Sequence, residues 1–273
     1  MKLRVPLRGV ELSVRTAGEG PATLLLHGFT GSSTTWDPHV ARFKRHMKTI
    51  AVDLVGHGDS DAPKDPERYR MEFCVEHLLA VLDQLGLDAV DLIGYSMGGR
   101  VALHLAITAP GRIRSIVLES SSPGIADPTE RQARVVADDS LADYVERKGI
   151  DAFVDRWENQ PLFESQRNLS PTVRSALRSQ RRRNNPVGLA NSLRGMGAGR
   201  QESLWRSLPT IEAPVLLIAG GLDAKYCRIA REMSSLLPNA RLEIVHNAGH
   251  AVHLERPAAF EQLVLDFLAP TTT

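Results

Sequence analysis

Cysteine is nearly missing from this chain. Cys74 and Cys227 are the only two, and their separation matches no metal-site spacing. No disulfide framework can be built from them, so two free thiols and a cytoplasmic location are expected. Long apolar runs are also missing. None approaches the roughly 18 residues of a membrane span, and the start, Met1-Lys2-Leu3-Arg4-Val5-Pro6, has no extended apolar region like that of a secretory signal. Charge of one sign is not in excess. With 33 Lys+Arg against 32 Asp+Glu the net charge is +1, so neither nucleic acid nor a membrane is an expected partner. Internal repeats and low-complexity segments are absent, and only Pro270-Thr271-Thr272-Thr273 reads as a loose tail. What remains is 273 residues, 42% of them hydrophobic, enough for one sizeable α/β core. Nothing in this pattern fixes an oligomeric state.

Short apolar runs alternate with segments of helical spacing. Val10 to Thr16 reads as an edge strand. Ala22 to Leu26 is apolar throughout, as in a strand buried on both faces. Met47 to Val52, Val90 to Ile93, Ile113 to Glu119, Val215 to Gly220 and Arg241 to Val245 continue the series. Helical spacing appears around Thr35 to Phe43, Phe73 to Leu85, Val101 to Ala109 and Pro257 to Leu268. Such alternation implies a parallel sheet covered on both faces. From Pro123 to about Leu208 no strand is expected. Apolar residues recur there at helical intervals, and breakers at Gly149, Pro161, Pro171, Pro186 and Gly195 predict about four short helices. The division that follows is a core of residues 1–122 and 209–273 with a helical lid over 123–208.

Gly94-Tyr95-Ser96-Met97-Gly98-Gly99 lies between a strand and a helix. In that context a Gly-x-Ser-x-Gly string becomes a mechanism: small residues permit a sharp bend that holds the Ser96 hydroxyl clear of the sheet. Serine needs a base to react. The loops after the last two strands carry Gly220-Gly221-Leu222-Asp223 and Asn247-Ala248-Gly249-His250, at the carboxyl ends of the strands, where such sheets place their sites. Ser96, Asp223 and His250 then read as nucleophile, acid and base. Glu119, which also ends a strand, is the alternative acid. His27 and His57 sit in glycine-flanked turns and are expected to bind loop backbone. The backbone amides of Met97 and Phe29 are the candidate oxyanion donors.

Arg100 follows Ser96 by one helical turn, on the same side. A cation near a helix N-terminus opposes the helix dipole by roughly 0.3–1 kcal/mol, and its apolar neighbours Val101, Ala102 and Leu103 predict burial. It requires an anion, either an internal carboxylate or a carboxylate on the substrate, which guanidinium binds through two hydrogen bonds. The lid segment adds Arg134, Arg156 and Arg181-Arg182-Arg183, while Tyr95 and Trp157 offer walls or core packing.

These residues resemble a known family. The whole chain resembles the α/β-hydrolase superfamily. His27-Gly28-Phe29-Thr30-Gly31 with Trp36, the elbow through Arg100, the segments Trp157 to Phe163 and Gly188 to Gly197, and Gly249 to His253 are similar to the 2-succinyl-6-hydroxy-2,4-cyclohexadiene-1-carboxylate synthases of menaquinone biosynthesis. The resemblance implies an α/β-hydrolase fold, a mostly parallel doubly wound sheet with a helical lid inserted after the sixth strand. It implies a lyase that eliminates pyruvate from an enolpyruvyl cyclohexene carboxylate, with no metal and no organic cofactor. The partner is then a small anionic substrate, bound by Arg100, Arg134, Arg181, Tyr95 and Trp157, with Arg182 and Arg183 as alternative registers for the third arginine. Ser96 acts there as a base on a ring proton. An esterase or carbon–carbon hydrolase would use the same triad, and a ligand-binding receptor would keep the fold with little catalysis.

Overall fold

The computed structural model describes residues 1–269, and the expected tail Pro270–Thr273 lies outside the described residues. Eight strands form one sheet: β1 (Lys2–Leu7), β2 (Val10–Ala17), β3 (Ala22–Leu26), β4 (Lys48–Val52), β5 (Val90–Tyr95), β6 (Ile113–Glu119), β7 (Val215–Gly220) and β8 (Ala240–Val245). Their order is β1-β2-β4-β3-β5-β6-β7-β8. From β4 to β8 every pairing is parallel, and β1 and β2 join antiparallel at the far side. β3 and β7 are buried at every position, as expected of strands covered on both faces. One apolar cluster lies on each face of the sheet, one around Leu24, Leu92 and Leu103, the other around Leu25, Trp36 and Phe260.

The β2 segment is not the edge, contrary to expectation. β1 lies outside it, and with β1 counted the helical insertion follows the sixth strand. In β1 only Val5 is fully buried, while Lys2, Arg4 and Pro6 face solvent. Charged side chains and proline are what an edge strand tolerates, and they mask its alternation. A second unanticipated element is the helix Ala224–Leu236, capped by Asp223, whose side chain accepts the Tyr226 N–H at 3.1 Å.

Between β6 and β7 the described residues contain helices and no strand. Gly149, where φ 80 and ψ 173 are not helical, breaks the stretch Pro128–Glu158 into two helices, as the sequence predicts. A 3-10 segment Pro161–Asn168 and helices Pro171–Arg182 and Pro186–Met196 follow. Each of these four stretches begins with proline, which is pre-set for the first helical turn. Gly195 does not break its helix. Its missing side chain lets the helix close on the Tyr69 backbone, where a Cβ would come within 2.7 Å. Val145, Phe153, Val154, Leu189 and Leu193 form a separate apolar cluster, with Phe29 of the β3 loop and Trp157 packed against it. At about 1.5–3 kcal/mol per buried side chain of this size, the cluster holds the insertion together and seats it over the loop after β3.

Candidate active site

Ser96 joins β5 to the helix Met97–Thr108 at φ 51 and ψ −107. A non-glycine residue held there costs about 1–3 kcal/mol and survives only when its surroundings fix it. They do so here. The Ser96 N–H donates to the Glu119 carbonyl at 2.8 Å, and Gly98 packs so tightly on β3 that a Cβ would overlap the Leu26 carbonyl. The bend brings the Ser96 Oγ 3.0 Å from His250 Nε2. His250 Nδ1–H donates to Asp223 Oδ2 at 2.8 Å, and both side chains are buried, at 2% and 9% exposure. That tautomer leaves Nε2 free to accept the serine proton. Asp223 Oδ1 caps the following helix, so one carboxylate fixes both the imidazole and the helix start.

Glu119 is not the partner of His250. Its two carboxylate oxygens both lie 2.9 Å from His253 Nδ1, and one also accepts the His253 N–H at 3.0 Å. The acid at the end of β6 therefore anchors the loop three residues beyond the base. Glu255 holds the same loop from the other side. It accepts the Gly249 N–H at 2.7 Å and the Ala251 N–H at 3.4 Å, the two amides that bracket His250.

Met97 is the first residue of its helix, and Phe29 lies in the loop after β3. Among the described residues neither amide donates to a protein acceptor, as candidate oxyanion donors require. The Phe29 loop is braced by His27, whose Nδ1–H donates to the Gly28 carbonyl at 2.8 Å and whose Nε2 accepts the Leu54 N–H at 3.1 Å. Burial depresses its pKa and keeps it neutral. His57 Nδ1 likewise meets the Val55 carbonyl at 3.1 Å.

Ser96, Met97, Phe29 and His250 open onto one cavity of about 500 Å³, shared with Tyr95, Arg100, Arg134, Arg156 and Trp157. Arg100 is half-buried and forms no ion pair among the described residues. It donates to the Met196 carbonyl at 2.9 Å and to Gln201 Oε1, both neutral. Burial, and then repulsion from Arg134, lowers its pKa to about 10. Arg134 is 42% exposed and pairs with Asp138 at 2.8 Å. The exposed Arg156 lies over the Tyr144 ring, 4.7 Å from its centroid. Trp157 stacks on Phe153 at 5.8 Å, and its buried Nε1–H has no partner.

Of the three consecutive arginines, Arg181 turns inward at 5% exposure, and Arg182 pairs with Asp151 on the surface. Arg181 does not line the Ser96 cavity. With Arg183 it lines a neighbouring one of about 410 Å³, and Phe29, Tyr95 and Phe163 line both. Burial lowers the pKa of Arg181 to about 10. Tyr226 and Asp138 also line the Ser96 cavity, and sequence reasoning missed them. The missed signal for Tyr226 was Asp223 as a helix cap three residues earlier. Nothing local marked Asp138. Among the described residues no group of three or more His, Cys, Asp or Glu side chains could hold a metal ion, and no helix is long and apolar enough to cross a membrane.

Residues 21–257 match the alpha/beta hydrolase fold family. The chain is 47% identical over 264 residues to a putative 2-succinyl-6-hydroxy-2,4-cyclohexadiene-1-carboxylate synthase of Bacillus subtilis, covering 95% of each. It is 31% identical to a 2-succinyl-6-hydroxy-2,4-cyclohexadiene-1-carboxylate synthase of Serratia proteamaculans, covering 91% of this chain and 93% of that one. Among solved structures it is similar to MenH from S. aureus, with 34% identity, a TM-score of 0.90, and 93% and 97% of the two chains covered. A serine elbow on a mostly parallel sheet, matched over most of its length, places this chain in the alpha/beta hydrolase fold family.

Proposed function

We propose that this chain is a 2-succinyl-6-hydroxy-2,4-cyclohexadiene-1-carboxylate synthase, a lyase that eliminates pyruvate from an enolpyruvyl-succinyl-hydroxycyclohexene carboxylate. The similarity to the synthases of Bacillus and Serratia supports the reaction. The single observation that carries the chemistry is Arg100, a guanidinium with neutral partners only, on the same cavity as Ser96. A desolvated cation without a carboxylate of its own is a receptor for an anionic ligand.

In this reading His250, oriented by Asp223, draws the proton from Ser96 as the serine oxygen removes a proton from the substrate ring. The electron pair is held first as a dienolate, then forms the new ring double bond as the bond to the enolpyruvyl oxygen breaks, and the enolpyruvate released takes up the proton held on His250 to become pyruvate. The Met97 and Phe29 amides hold the negative charge that builds on the substrate oxygen. Arg100, Arg134, Tyr95 and Trp157 hold the substrate, and Arg181 meets it from the adjoining cavity. The helical segment 123–208 serves as the lid, and the enzyme works in the cytoplasm on a small anionic substrate. The test is pyruvate release from the enolpyruvyl substrate, with Ser96→Ala as control. Release by the wild type and none by the variant is the expected result. Rapid hydrolysis of simple esters with no pyruvate release overturns the reading in favour of an esterase.

A further inference from the structure

Tyr226 is the cavity residue with no role so far. Its backbone N–H is fixed by Asp223 Oδ1 at 3.1 Å. Its ring meets His250 edge-on, with centroids 4.6 Å apart and planes at 62°. The same side chain lines the cavity that holds Ser96, Arg100 and Arg134. Among the described residues its hydroxyl has no hydrogen-bond partner and is not sealed from the cavity. Guanidinium groups offer donors only, so Arg100 and Arg134 cannot take up the phenolic proton. Burial raises the phenol pKa despite the opposing pull of both arginines, so the group is a neutral donor at physiological pH.

We infer that the Tyr226 hydroxyl is a substrate-binding group that donates a hydrogen bond to the carboxylate held by Arg100. An oxyanion there satisfies two donors at once, the half-paired guanidinium and the unpartnered phenol. A hydrogen bond to a charged acceptor is stronger than a neutral one, and Asp223 places it: the same carboxylate orients the base and caps the helix that carries the phenol. The inference rests on the synthase reading above, and the experiment separates the two.

Tyr226→Phe removes only the hydroxyl and keeps the ring against His250, whereas Tyr226→Ala removes both. With the enolpyruvyl substrate, Tyr226→Phe is expected to lower kcat/KM about tenfold, mainly through KM, with an unchanged Tm. Tyr226→Ala is expected to lower kcat as well, because His250 loses its neighbour. Wild-type kinetics in Tyr226→Phe overturn the inference and leave the synthase reading standing. If the wild-type enzyme releases no pyruvate, that reading fails, and calorimetric titration with succinate decides the hydroxyl. A succinate Kd that rises severalfold in Tyr226→Phe supports it. An equal Kd, or no succinate binding by the wild type, overturns it.

Discussion

Replacing Arg100 by methionine keeps the apolar stem and removes the fork. The guanidinium has two neutral protein acceptors and no carboxylate partner, so what it loses with the ligand can be separated from what it loses with the fold. A carboxylate bound through two charge-assisted hydrogen bonds is worth about 1.5–3 kcal/mol for each bond. Losing both lowers kcat/KM by roughly 10²–10⁴-fold at about 1.4 kcal/mol per decade. Stability moves far less. The Met196 carbonyl and Gln201 Oε1 each lose a donor, costing about 1 kcal/mol apiece, and relief of the desolvated charge offsets part of that. The unfolding free energy should therefore change by no more than about 2 kcal/mol. Arg100→Lys keeps charge without the fork and should recover only part of the rate. The assay follows pyruvate with a coupled NADH-linked enzyme, beside urea unfolding of the same samples. A variant within threefold of wild-type kcat/KM refutes the reasoning. So does an equal loss on an uncharged ester, because Arg100 would then be supporting the triad and not an anion.

Three further predictions follow from the geometry. Ser96→Gly should raise the unfolding free energy by about 1 kcal/mol over Ser96→Ala, because glycine relieves the strained φ of 51; equal stabilities in urea would show that no strain is stored at the elbow. Glu255→Gln removes an acceptor from the amides that bracket His250; kcat should fall about tenfold with KM and Tm nearly unchanged, and a lower Tm with normal kcat would make Glu255 a purely structural group. Burial depresses the pKa of His57 to about 3, whereas an unfolded histidine takes up a proton near pH 6.5. Acid between those values protonates only the unfolded chain, so His57 contributes stability above pH 6.5 that is lost as pH falls toward 3. His57→Asn should flatten the fall in stability by up to about 1.4 kcal/mol per pH unit between pH 6 and 4.5, and parallel wild-type and variant curves would count against a neutral buried imidazole.

Much of this protein is local in origin. The runs Ala22–Leu26, Ile113–Glu119 and Val215–Gly220 form strands with the expected ends, because continuous apolar stretches have one stable place in a covered sheet. Pro128, Pro161, Pro171 and Pro186 each mark a helix start through backbone geometry alone. The serine elbow is equally local, a bend that small residues at 94 and 98 allow. Ser96, Asp223 and His250 were legible by chain order, since each lies just beyond the carboxyl end of a strand.

Other features rest on what comes together across the chain. Two acids, Glu119 at the end of β6 and Asp223 in the loop after β7, lie beside neighbouring strand ends. The tertiary fold alone decides that Asp223 meets His250 and that Glu119 meets His253, three residues on. β1 was hidden because an edge strand can expose three of its six residues, so its pattern shows only once a neighbour is in place. Arg181 turns inward and Arg182 outward through the rotation of a single helix, and the partner cavity for Arg181 exists only when that helix meets Phe29, Tyr95 and Phe163. Composition and spacing thus determine which groups are present and on which element. Pair distances, cavity walls and unpartnered donors depend on contacts between residues far apart in sequence, which only the folded chain creates.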